Sequence, residues 1–218
     1  MTPASSGPLV LVDLVCAEPA SSAAAYRRLL GRPVVVSPAD GDQRSGVTVG
    51  NTALHLGPTA RESSEMRTAH DVYFTVDDVA AFGRLLRRRN HPVSTSPLGL
   101  IADRPRLGVT GRQAPAETGG DLTGLDHLVF TCDDRDAAVA LFAGTFDLDF
   151  RLDQQIAPSA TVADSRQLFF RRDDLIVEVV ATPNPQSATE PSVVLWGVAW
   201  RSSDVDASHA RLTEAGST

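Results

Sequence analysis

A histidine opens the segment HLVFTCDD (residues 127–134) and an acidic pair closes it. Side chains alternate faces along a strand. Leu128, Phe130 and Cys132 therefore form an apolar set suited to packing on a helix, and His127, Val129 and Thr131 form the opposite set. The segment LIVEVV (residues 175–180) divides in the same way. Leu175, Val177 and Val179 belong to the core, and Ile176, Glu178 and Val180 to the other face. His127 and Glu178 are thus expected on the same kind of surface, on two different strands. An imidazole and a carboxylate together suit zinc, iron, nickel, cobalt or manganese. The same residues also admit an ordinary reading: a hydrogen-bonded histidine at a strand start, and a glutamate paired with Arg171 or Arg172.

The elements that must position these groups recur along the chain. DVYFTVDD (71–78) and GVAWRSSD (197–204) match HLVFTCDD, each with an acidic residue seven places after its first residue (134 − 127, 78 − 71, 204 − 197). An Ala-rich segment with helical period follows each one: VAAFGRLLRRRN, VDASHARLTEAG and RDAAVALFAGTF. An Asp at the strand exit can accept hydrogen bonds from the first free N–H groups of the helix. Gly, Asn or Asp then ends the helix. A looser copy runs from VDLVCAEPA into SSAAAYRRLLG. After the first helix, VVVSPADGDQR, SGVTVG and TALHLGP read as three more strands, as do FRLDQQI, DSRQLFFRR and DLIVEVVATP after the third. The unit is strand–helix–strand–strand–strand, repeated.

This repetition resembles the vicinal oxygen chelate superfamily, the glyoxalase/bleomycin-resistance/dioxygenase group. LDHLVFTCDD, the IVEVV strand and WGVAWRSSDVDASHARLTEAG carry the resemblance most clearly. It implies an α+β fold in which tandem βαβββ modules pair into curved, cup-like mixed sheets with helices outside. Modules one and two would form one domain (1–118). Module three and the start of module four would form another (119–218), linked through RQAPAETGGDLTG. Module four reaches only its helix, HARLTEAGST. The repeat implies about 25 to 30 further residues carrying three strands, a longer natural protein, and a second cup open on one side. Exposed edge strands there would pair readily with another chain, so a homodimer is one arrangement to test.

The resemblance also implies roles. First and last strands of a module each offer a metal ligand in this superfamily, so His127 and Glu178 become candidate ligands of a divalent metal, with Glu178 also a candidate proton shuttle. Gly197 stands where His127 would recur, which departs from the two histidines and one glutamate of extradiol dioxygenases. Isomerase, lyase or group-transfer chemistry on a substrate with vicinal oxygens therefore ranks above dioxygenation. A metal-free, drug-sequestering binding protein is the rival reading, with Val129, Ile176, Val180 and Ala199 lining an apolar cup. Arg201, Val129, Thr131 and Ile176 are candidate substrate contacts, Arg201 through a bidentate grip on a carboxylate or phosphate. Trp200 is expected to pack in the core. In the first cup the matching positions hold Asp13, His55 and Asp71, a candidate second metal set, and Tyr73 and Thr75 share their face.

Bulk properties fit a small-molecule protein. The net charge of −7 lacks the basic face that nucleic-acid binding needs. All 20 basic residues are Arg, which reads as the codon bias of a high-GC bacterium. Two cysteines give no disulfide framework, which points to a reducing, cytoplasmic setting. No apolar stretch approaches the ~20 residues of a membrane span, and the start has no basic leader. GxSxG, Walker and dinucleotide motifs do not occur.

Overall fold

Each of the four Ala-rich segments folds as a helix directly after a strand. The computed structural model describes residues 7–37, 44–58, 70–111, 119–157, 164–182 and 192–216. The helices are α1 (Pro19–Leu30), α2 (Val79–Arg88), α3 (Arg135–Val139, continued by a π-helical stretch Ala140–Thr145) and α4 (Val205–Glu214). Three begin as their sequence requires. Asp78 Oδ1 accepts from Ala81 N (2.8 Å), Asp134 Oδ1 from Asp136 N (2.8 Å) and Ala137 N (3.0 Å), and Asp204 Oδ1 from Ala207 N (2.9 Å). These bonds satisfy donors that the first turn leaves free. Helix α1 has Pro19 in its first turn instead and no side-chain cap. Gly31, Asn90 and Asp147 follow the helical segments with φ of 63°, 58° and 57°, the left-handed conformation that turns the chain back.

The strands are β1 (Val10–Cys16), β2 (Val35–Ser37), β3 (Arg44–Val49), β4 (Thr52–Pro58), β5 (Asp71–Thr75), β6 (Ser94–Ser96), β7 (Gly99–Ile101) and β8 (Leu107–Thr110). After them come β9 (Leu122–Cys132), β10 (Asp149–Ile156), β11 (Ser165–Arg172), β12 (Leu175–Ala181) and β13 (Val193–Ser202). They build two mixed sheets that do not close on themselves. The eight-stranded sheet has the order β2-β3-β4-β1-β5-β8-β7-β6, and the five-stranded sheet β10-β11-β12-β9-β13. The module pattern is therefore the one the repeats predict. In each sheet the first strand of a module lies parallel to its last: β1 beside β4, and β9 beside β12.

Two compact units emerge, one of residues 1–77, 110–125 and 200–218, the other of residues 78–109 and 126–199. In the first, Leu30, Val49 and Leu122 form a buried cluster against which Tyr26 and Trp200 pack, as expected of Trp200. Arg211 on α4 reaches the end of α1, donating to the carbonyls of Arg28 (2.6 Å) and Leu29 (2.9 Å) and to Asp121 (2.9 Å). A cation at a helix C-terminus meets the negative end of the helix dipole. In the second unit, Phe142 stands 5.1 Å from Phe130 and 5.3 Å from Phe170, and Phe150 stacks on Phe170 at 5.1 Å. With Leu128, Val177 and Val179 fully buried, these rings fix which face of β9, β11 and β12 turns inward.

Strand β9 corrects one expectation. Leu122 to Gly124 were expected in the linker, yet the strand already runs through them. Residues 112–118 of that linker, up to the 118/119 boundary, lie outside the described residues. Tertiary contacts extend the strand. Asn51 Oδ1 accepts from Leu125 N (2.8 Å) while its Nδ2 donates to Leu125 O (3.1 Å), and Arg32 Nη2 donates to Leu122 O (3.1 Å). Gly50 makes the approach possible, because a Cβ there would fall 2.2 Å from the Thr123 carbonyl oxygen. Among the described residues no helix is long and apolar enough to cross a membrane.

Candidate metal and substrate site

Register decides which side chains meet on β9 and β12. His127 lies opposite Ile176, and Val129 opposite Glu178. His127, Val129 and Thr131 thus share a face with Ile176, Glu178 and Val180, while Leu128, Phe130, Leu175, Val177 and Val179 are buried on the other. The structure brings the imidazole and the carboxylate together: His127 Nε2 lies 3.4 Å from Glu178 Oε2. One ion can touch both, since each metal bond is about 2.1 Å.

Two further side chains complete the arrangement. Asp126 Oδ2 accepts from His127 Nδ1 at 2.9 Å, which leaves Nε2 as the nitrogen that faces Glu178. Gln167 Nε2 donates to Glu178 Oε1 at 2.9 Å. Both ring nitrogens of His127 therefore face carboxylate oxygens, and a neutral imidazole has one N–H to offer. A histidine whose remote nitrogen donates to a carboxylate is a common support for metal ligands. Glu178 is held by the Gln167 amide. Arg171 donates to the Asp173 carbonyl (2.6 Å).

The surrounding face is mostly apolar. Val129, Ile176 and Val180 are half-buried around the pair, and Thr131 is exposed. On the neighbouring strands Phe169 stands opposite Glu178, and Leu152 opposite Phe169. Arg201 belongs to the first compact unit and is exposed, with its guanidinium donating to Leu125 O at 3.5 Å.

The second candidate set aligns in backbone register. Asp13 stands opposite His55 on β4 and opposite Asp71 on β5. Asp13 and Asp71 are buried, and the Tyr73 hydroxyl donates to Asp71 (3.4 Å). Among the described residues, however, no three His, Cys, Asp or Glu side chains group closely enough to hold a metal ion. His127 and Glu178 present two potential donor atoms 3.4 Å apart.

A family profile described as the glyoxalase/bleomycin resistance protein/dioxygenase superfamily matches residues 126–218. Solved structures share the fold across nearly the whole chain. A triple mutant of 4-hydroxymandelate synthase from Streptomyces coelicolor is similar at TM-score 0.70 and 15% identity, over 98% of this chain and 76% of that one. The family match thus covers the later part of the chain, and the solved structures show a shared fold. The fold recurs in a xylose isomerase-like TIM barrel/4-hydroxyphenylpyruvate dioxygenase fusion protein (TM-score 0.66, 14% identity, 98% of this chain). The present chain spans 40% of that fusion's length. It recurs also in 2,2',3-trihydroxybiphenyl 1,2-dioxygenase from Sphingomonas wittichii strain RW1 (TM-score 0.58, 14% identity, 99% of this chain and 80% of that one). Among curated proteins none matches the sequence.

Of the two residues that brace the candidate site, Asp126 escapes a reading by alternation and Gln167 does not. Asp126 adjoins His127, so a regular strand would turn it to the opposite face. Gln167 carried a usable signal: in SRQLFF it is a polar residue whose neighbours Leu168 and Phe170 are buried, which puts it on the face of Glu178.

Proposed function

We propose that the protein is a glyoxalase-like enzyme that acts on a small molecule with two neighbouring oxygens, using a divalent metal (zinc, iron, nickel, cobalt or manganese) held by His127 and Glu178. One observation carries the reading: His127 Nε2 and Glu178 Oε2 converge to 3.4 Å from separate strands, with each side chain braced from behind by Asp126 or Gln167. A bound divalent cation supplies Lewis-acid polarisation of substrate oxygens, which stabilises enolate or oxyanion charge as it develops.

The chain's own residues do the rest. Asp126 keeps the His127 proton on Nδ1 and the Nε2 lone pair on the side of Glu178. Glu178 presents Oε2 and is the group placed to take and return a proton at a substrate carbon. Val129, Ile176 and Val180 flank the pair with apolar surface, which seats the non-polar part of a substrate and sheds water from the reacting end. Isomerisation, lyase chemistry and group transfer all use this combination of polarised oxygen and mobile proton. Gly197 at the position equivalent to His127 ranks dioxygenation below them.

The same apolar flank supports a second reading, a binding protein that buries an apolar ligand without metal. Metal analysis of the purified protein separates the two. Stoichiometric metal that His127→Ala loses supports the enzyme. A metal-free protein that retains its small-molecule affinity after His127→Ala overturns it in favour of the binder.

A further inference from the structure

We infer that Gln167 is a positioning residue whose amide holds one oxygen of Glu178 and so presents the other, singly, toward His127. The inference rests on the metal-binding reading above and goes beyond it by assigning how the carboxylate binds.

The geometry begins with register. On β11 and β12, Phe169 is directly opposite Glu178 and Gln167 opposite Val180. Gln167 is therefore the diagonal neighbour of Glu178 on the shared face, within reach of a long polar side chain. Its Nε2 donates to Oε1 at 2.9 Å, while Oε2 faces His127 Nε2 at 3.4 Å. The terminal torsion of a glutamate is broad, so a free carboxylate swings and can bring both oxygens to one ion. Holding Oε1 stops that rotation and leaves one oxygen for the ion. Positions that a chelating carboxylate would fill then stay open for the two oxygens of a substrate.

The type of donor matters as much as its place. An arginine here would form a bidentate, charge-assisted pair with Glu178 and compete for both oxygens. The Gln167 amide is neutral, so it orients the carboxylate while leaving its negative charge for a cation. Gln154 stands opposite Gln167 on β10, which continues the row of neutral amides toward the sheet edge.

The test is a cobalt(II) titration of the whole protein, followed by calorimetry and by visible absorption, which reports how many donors surround the ion. Wild type, His127→Ala, Gln167→Met and Gln167→Ala are compared. Methionine keeps the length of glutamine and removes the donor. The wild type is expected to bind one cobalt ion and His127→Ala none. Gln167→Met should bind about 10–100-fold more weakly, with a changed absorption spectrum and an unaltered urea midpoint. If the methionine variant does not fold, Gln167→Ala is read in its place. Wild-type affinity and spectrum in both Gln167 variants overturn the positioning role and leave the metal site standing. No cobalt uptake by the wild type overturns both.

Discussion

Asp126 and His127 are consecutive residues of one strand, yet their side chains meet, with Asp126 Oδ2 2.9 Å from His127 Nδ1. A regular strand would send them to opposite faces. Burial along β9 shows where regularity fails: Gly124 and Leu125 are both buried, Asp126 and His127 are both half-buried, and strict alternation resumes at Leu128. The break delivers a carboxylate to the back of the imidazole. Asp126→Asn keeps the shape and removes the charge that secures the tautomer. It should weaken divalent-metal binding about 10–100-fold, measured by calorimetry, with little change in thermal unfolding. Unchanged affinity would mean that the tautomer is set by something else.

Asn51 is the principal tie on the early part of β9. Both ends of its buried amide are used on the backbone of Leu125. Asn51→Ala leaves a buried N–H and a buried C=O without those partners, at a cost of about 2–3 kcal/mol. Urea denaturation should show the loss. A destabilisation within about 0.5 kcal/mol would show that water replaces the amide there.

Acid should weaken the fold before the carboxylates titrate. Burial pushes the His70 imidazole below its ordinary value of 6.5, only partly opposed by Asp71 and Asp13, and its Nδ1 already accepts the Val15 N–H (3.2 Å). Burial likewise pushes His91 down, against a partial upward pull from the Leu107 carbonyl, and its ring meets Phe146 edge-on. Both depressed values make the unfolded chain bind protons more readily than the folded one. Their contribution to stability is complete above 6.5 and declines as pH falls from there toward the folded values. The urea midpoint should therefore drop between pH 7.5 and 5.5, and a His70→Gln, His91→Gln double variant should show a flatter profile. A midpoint that rises on acidification over this range would refute the assignment.

Cys132 should be chemically quiet. Burial pushes its thiol up to about 11, with Asp133 and Asp134 nearby adding to the effect. At pH 8 the thiolate fraction is then about 0.1%. Iodoacetamide should leave Cys132 unmodified in the native protein and alkylate it in urea, as mass spectrometry would show. Rapid native labelling would place the thiol at the surface.

Period-two reasoning was sufficient for the parts of the site that follow regular strands. His127 and Glu178 fall on one face because each strand's alternate residues are large and apolar, and Phe130, Phe170 and Val177 leave no other way to turn the sheet. The same logic recovers the helix starts, since an Asp at a strand exit has a local job. It fails where a distant residue decides. Leu122 to Gly124 look like linker until Asn51 and Arg32 are brought to them, and Asp126 looks misplaced until the alternation breaks. Alternation also places Asp13, His55 and Asp71 in one backbone register.

Tyr73 is almost wholly enclosed and shares its face with Asp13 and Asp71. Tyr73 thus fills interior space beside Asp71, which its hydroxyl contacts. Duplication allows one copy of a module to be filled by its own side chains while the other stays free to change. Random substitutions on this face of the first sheet should then surface as loss of protein, and those around His127 as loss of chemistry in protein that accumulates normally.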